Sequence, residues 1–163
     1  MIDRQASMES TTPGPIASAR ARLQDDHEAR AALCAELERV ADALPSLPAP
    51  ARIRRICHQI ESTTTHFRRV DTTFEALAAG DNAPFASDML DSLAGMHVMD
   101  ALHGEDLIAI LWDSTARGAV ARPGELGYML RCFFDGCRRV AALESLLLTL
   151  FEQAARQTAP QTA

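Results

Sequence analysis

Apolar residues return every third or fourth position through four long stretches of this chain, and proline or glycine separates each stretch from the next. The first, from Ala17 to Leu44, places Leu23, His27, Ala31, Cys34, Leu37, Ala41 and Leu44 on one helical face, and Pro45, Pro48 and Pro50 end it. The second begins near Ala51 and carries Ile53, Ile56, Ile60, Thr63, Phe67, Val70, Phe74 and Leu77 in a nearly regular heptad stripe that stops before Gly80. The third, from Pro84 to Ala116, is expected to turn Met89, Leu93, Met96, Met99, His103, Leu107 and Ile110 inward, with Pro84 in its first turn. The fourth runs from Glu125 to Arg156 on Leu126, Leu130, Phe133, Cys137, Val140, Leu147 and Phe151. No strand-like alternation occurs. Four helices near 17–44, 51–79, 84–117 and 124–156, joined by short connectors, predict an all-α, up-down-up-down antiparallel four-helix bundle. The aperiodic ends, residues 1–16 and 157–163, read as a flexible leader and tail.

Composition narrows this picture. With 163 residues, 47% of them hydrophobic, the chain suits one domain with a sizeable core. Every one of its sixteen basic residues is arginine, a sign of a GC-rich genome more than of an anion-binding surface, and the net charge of −6 argues against nucleic acid as a partner. Cys34, Cys57, Cys132 and Cys137 show no CxxC spacing and read as small buried thiols in a reducing, cytoplasmic setting. No segment has the ~20 uninterrupted apolar residues of a membrane span. No P-loop, GxGxxG or paired nucleophile and base appears, so no enzymatic role is expected.

The chemistry concentrates in one place. Glu144 interrupts the fourth apolar stripe between Val140 and Leu147, and a buried carboxylate must be paired, protonated or bound to metal because an unpaired charge costs several kcal/mol there. His27, His66 and His103 come from the other three helices. At ~1.5 Å per residue, the assigned helix starts put all four residues near one level of the bundle. His58 and His97 fall off or at the edge of their stripes and read as surface residues.

The sequence around these residues resembles the hemerythrin-like, or HHE cation-binding, family. The resemblance rests on Asp26-His27-Glu28, on His66-Phe67-Arg68-Arg69, on His103, and on Arg138 to Glu144, and spans about residues 20 to 155. In its bacterial form that family holds two bridged irons with a lone His, an HxxxE, a second lone His and a second HxxxE. Here Val70 stands in place of the glutamate of the first HxxxE and Val140 in place of the histidine of the second. The resemblance therefore implies at most one non-haem metal, most readily iron, held by His66, His103 and Glu144 with His27 as an auxiliary. Two histidines and a carboxylate form a known mononuclear iron ligand set. The function so implied is sensing of oxygen, nitric oxide or redox state, or iron handling, with a metal ion and a small diatomic molecule as ligands. The alternative is a metal-free bundle in which Glu144 accepts hydrogen bonds from His27 or His103, or from Arg68 or Arg69, in a Glu–His polar network, and the protein serves as an interaction module or homodimer.

Overall fold

The computed structural model describes residues 14–81 and 86–158. It contains four helices: α1 (Pro15–Ala43), α2 (Pro50–Asp81), α3 (Ala86–Arg117) and α4 (Pro123–Thr158). Three of them open on proline, whose fixed φ and missing N–H suit a first helical position. α3 ends on Gly118 at φ +67°, where Gly118 N–H bonds the Thr115 carbonyl and Ala119 N–H bonds the Ser114 carbonyl, a Schellman closure that needs the left-handed conformation. The expected first-turn position of Pro84 and most of the expected leader and tail lie outside the described residues. α1 begins two residues before the expected Ala17, and α4 runs two residues past Arg156.

Cross-helix contacts fix the directions. Ion pairs join Arg20 to Glu152, Arg30 to Glu144, Arg138 to Glu38 and Arg131 to Asp42, so numbers fall along α4 as they rise along α1. Arg52–Glu36 and His66–Asp26 do the same for α1 and α2. The bundle is all-helical, and each helix runs antiparallel to its sequence neighbours.

The apolar stripes read from α2 and α4 are the buried ones, including Val70 at 3% and Val140 at 0% exposure. On α1, Ala31 faces solvent and Arg30 faces inward. α3 is rotated from the expected face. Met99 and His103 are exposed, whereas Leu93, His97, Asp100, Gly104, Leu107, Leu111 and Ser114 are buried. The core forms two apolar clusters: one built on Leu33, Ile53, Leu107 and Phe133, the other on Leu23, Phe74, Leu93 and Phe151. On α1 and α3 the polar residues Arg30, His97 and Asp100 fall between the two.

Gly104 explains part of the rotation. A Cβ there would lie 2.9 Å from Thr64 Cγ2, 3.1 Å from Ile60 Cγ2 and 3.2 Å from Phe133 Cε2, so only glycine lets α3 come this close to α2 and α4. A Cβ on Gly95 would meet nothing within 4 Å. Gly95→Ala should therefore raise stability by about 1 kcal/mol through helix propensity, a gain of ~2–4 °C in melting temperature for a chain of this size. Gly104→Leu should lower stability by ~1–3 kcal/mol or more through overpacking. Thermal melts of the two variants check both, and equal effects would place α3 wrongly.

Candidate functional site

Glu144 is fully buried, and three cationic or imidazole groups converge on its carboxylate. His27 Nε2 lies 2.5 Å from Oε2, His97 Nε2 lies 3.0 Å from Oε1, and Arg30 Nη1 donates to both oxygens at 3.2 Å. His97 continues the chain of contacts through its other ring nitrogen, Nδ1, at 2.6 Å from Asp71 Oδ1. Phe67 floors the group, with the His97 ring stacked on it at 4.5 Å and the Arg30 guanidinium 5.1 Å from its centroid.

Burial by itself pushes the Glu144 carboxyl up. Hydrogen bonds to His27 and His97 and the positive charge of Arg30 outweigh that penalty and hold it at about 2, so the group is ionised at neutral pH. Asp100 behaves oppositely. Its carboxylate lies against α4 where Gly136 leaves room, a Cβ there falling 2.5 Å from Oδ1, and Oδ2 has no hydrogen-bond partner among the described residues. Burial pushes its carboxyl above the ordinary value against the pull of Arg139, His103, His97 and Arg30.

The four expected ligands are not brought together. Glu144 and His27 meet as expected. His66 is half-buried and faces Asp26, with Nδ1 at 3.4 Å from its carboxylate. His103 stands on the exposed side of α3, because the helix presents 97, 100 and 104 inward instead. The corrected neighbours of Glu144 are His97, expected on the surface, and Arg30 of α1 in place of Arg68 or Arg69, which are exposed on α2. His58 is exposed as expected. Asp71 points at His97, so although it is one residue removed from position 70 it still enters the network.

These residues do not fit the metal implied by the family resemblance. Two of the named imidazoles face elsewhere, and a guanidinium already satisfies both oxygens of the carboxylate that would have bridged or bound the ion. His97 touches a carboxylate through each ring nitrogen. With a carboxylate already against each ring nitrogen, neither is open toward a metal ion. Among the described residues, no group of three or more His, Cys, Asp or Glu side chains has the arrangement of a metal site. What the arrangement can do is hold a buried charge and fix the register of α1, α3 and α4 around it.

Arg30→Met should cost about 3–5 kcal/mol in urea unfolding, since it leaves a buried carboxylate without its permanent cation. Adding Glu144→Leu to that variant should recover most of the loss, because an apolar pair of similar volume needs no charge balance. Additive losses would show that the two residues do not interact. The pH dependence has a definite sign. Glu144 titrates lower in the fold than its ordinary value of 4.5, so its contribution, on the order of 3 kcal/mol, is complete above about pH 4.5 and is lost as pH falls toward 2. The raised Asp100 carboxyl opposes folding once ionised, so Asp100→Asn should raise the melting temperature at pH 7 and leave it unchanged at pH 3. A gain of equal size at both pH values would contradict this.

A scan against models of protein families finds no match to this chain, and neither the curated proteins nor the solved structures searched contain a match.

Proposed function

We propose that this chain is a metal-independent four-helix bundle that works by binding protein, and that a second copy of itself is the partner. The observation that carries the first half is Arg30. Its guanidinium, 3% exposed, occupies the place beside Glu144 that a metal would need, and it supplies a fixed positive charge that no change of metal supply removes. The polar layer then has a structural task and leaves function to the surface.

The outer face of α3 supports the second half. Val98, Met99 and Leu102 are 60%, 61% and 51% exposed and lie together at the middle of the helix, where single scattered apolar residues would call for no explanation. Asp88, Asp91, Glu105 and Asp106 flank them, all exposed. A two-fold axis through the midpoint of 100 and 101 sets Met99 against Leu102 of a second copy twice over, the self-complementary contact that closed dimers require. In that register Glu105 and Asp106 fall opposite Met96 and Gly95 and Asp91 opposite Ile110, while Asp88, near the end of the contact, falls opposite Asp113, whose carboxylate is paired with Arg117. Methionine at the centre adapts to small errors of fit.

Two measurements test the reading. Elemental analysis of protein purified without chelator should find far less than one equivalent of iron or zinc per chain. Sedimentation equilibrium should find a dimer that Met99→Glu with Leu102→Glu converts to a monomer that still melts cooperatively, at a temperature that no longer depends on protein concentration. A stoichiometric metal defeats the first half, and a wild-type chain that stays monomeric at high protein concentration defeats the second.

A further inference from the structure

The Arg30 guanidinium donates to Glu144 through Nη1, and its Nε–H is buried with no hydrogen-bond partner among the described residues. A buried donor without an acceptor is destabilising, and more so on a charged group. The same side chain, 3% exposed, lines a cavity of about 170 Å³ in the groove between α1 and α2. That volume lies below the ~300–1,000 Å³ of sites for drug-sized molecules, so the occupant it suits has few heavy atoms. Asp26 of α1 and Gln59, Ser62, Thr63 and His66 of α2 complete the polar lining. These residues also hold unused donors. The Gln59 amide and the Ser62 and Thr63 hydroxyls make no hydrogen bond among the described residues, whereas Thr64, Thr72 and Thr73 on the same helix bond back to its carbonyls. His66 turns Nδ1 toward Asp26 Oδ1 at 3.4 Å, and its Nε2 has no partner among the described residues. An adjoining cavity shares Asp26 and His66 and is lined further by Arg22, Arg69 and Asp25. Arg22, Arg30 and Arg69 thus balance Asp25, Asp26 and Glu144, so the groove as a whole does not repel an anion.

We propose that the α1–α2 cavity binds inorganic phosphate, with Arg30 as its buried cationic donor and Asp26 as the acceptor of the ligand's own proton. A phosphate oxygen against Nε–H makes a charge-assisted hydrogen bond at the one position of the guanidinium that the fold leaves unpaired. The Ser62 and Thr63 hydroxyls, the Gln59 amide and the His66 ring supply donors for the other oxygens. Asp26 decides which oxyanion enters. A carboxylate can face an oxygen of the ligand only where that oxygen carries a hydrogen. Inorganic phosphate keeps at least one proton at neutral pH; sulfate has none, and a phosphate monoester, with its second pKa at about 6, has lost most of its last one. Either of these would set two bare anionic oxygens against each other, and that repulsion rejects them. The walls of the cavity are α1 and α2, so the site is separate from the outer face of α3 proposed to hold a second copy.

Equilibrium dialysis of the full chain against radiolabelled phosphate at neutral pH and fixed ionic strength tests the proposal, with unlabelled sulfate and methyl phosphate as competitors. The expected result is saturable uptake of one phosphate per chain, with each competitor at least ~10-fold weaker than phosphate itself, the loss that follows from one hydrogen bond to a charged group. Ser62→Ala with Thr63→Val leaves Arg30 and the Glu144 layer intact and should weaken phosphate binding by ~10-fold or more. Asp26→Asn should remove the discrimination, so that labelled sulfate binds as tightly as phosphate, because the amide N–H₂ can donate to a bare oxygen. Absence of saturable phosphate uptake, sulfate or methyl phosphate competing as well as phosphate on the unaltered chain, or unchanged binding in the folded hydroxyl variant overturns the proposal. The comparison of the three anions on the unaltered chain decides the matter even where a variant folds poorly.

Discussion

A single buried negative charge governs the middle of this bundle. Glu144 lies where the heptad pattern of α4 calls for an aliphatic side chain, and an unpaired carboxylate there would cost several kcal/mol, a large share of a domain's net stability. Its neighbours follow from that requirement. Arg30 comes from α1, His27 from α1 one turn earlier, and His97 from α3, with Asp71 of α2 holding the far side of His97. Each of the four helices contributes to one hydrogen-bonded group. Sliding any helix by a turn would break a contact to a buried charge, whereas the apolar clusters on either side tolerate small shifts.

The same group explains why α3 is rotated. A bundle driven by apolar burial alone would turn Met96 and Met99 inward and carry His103 with them. The observed face trades an exposed Met99 for a buried His97 and Asp100, and two glycines make the trade sterically possible. Gly104 admits the side chains of α2 and α4, and Gly136 admits the Asp100 carboxylate. The cost is visible at the surface as Met99, which joins the exposed Val98 and Leu102, and in the core as Asp100 Oδ2, which has no hydrogen-bond partner among the described residues. A local demand for charge balance in the interior thus adds Met99 to the apolar group on the outer face of α3.

Much of this was legible from sequence, and the failures share one cause. The helices and the faces of α2 and α4 follow from apolar periodicity, and Glu144 was visible as a carboxylate in an apolar stripe. His27 was found by its level in the bundle. α3 offers two stripes of the same period: one through Met89, Met96, Met99 and His103, the other through His97, Asp100, Gly104, Leu111 and Ser114, with Leu93 and Leu107 common to both. Hydrophobicity prefers the first. The second is correct because His97 is buried with polar partners, Asp100 in the space that Gly136 leaves and Gly104 by close approach, none of which an apolar count rewards. The regular spacing 93, 97, 100, 104, 107, 111 and 114 was the available signal. Arg30 was missed for the same reason, since a guanidinium is read as surface until a buried carboxylate one helix away gives it a place.

The central claim is that Arg30 stands permanently as the counter-ion of Glu144 and closes the layer to metal. Crystals grown with ferrous iron or zinc in excess would test it directly by anomalous diffraction. The account predicts no anomalous peak within the layer and an Arg30 guanidinium still within hydrogen-bonding distance of both Glu144 oxygens. A metal ion at ~2.0–2.2 Å from Glu144 and a histidine nitrogen, with Arg30 displaced from the carboxylate, would contradict it.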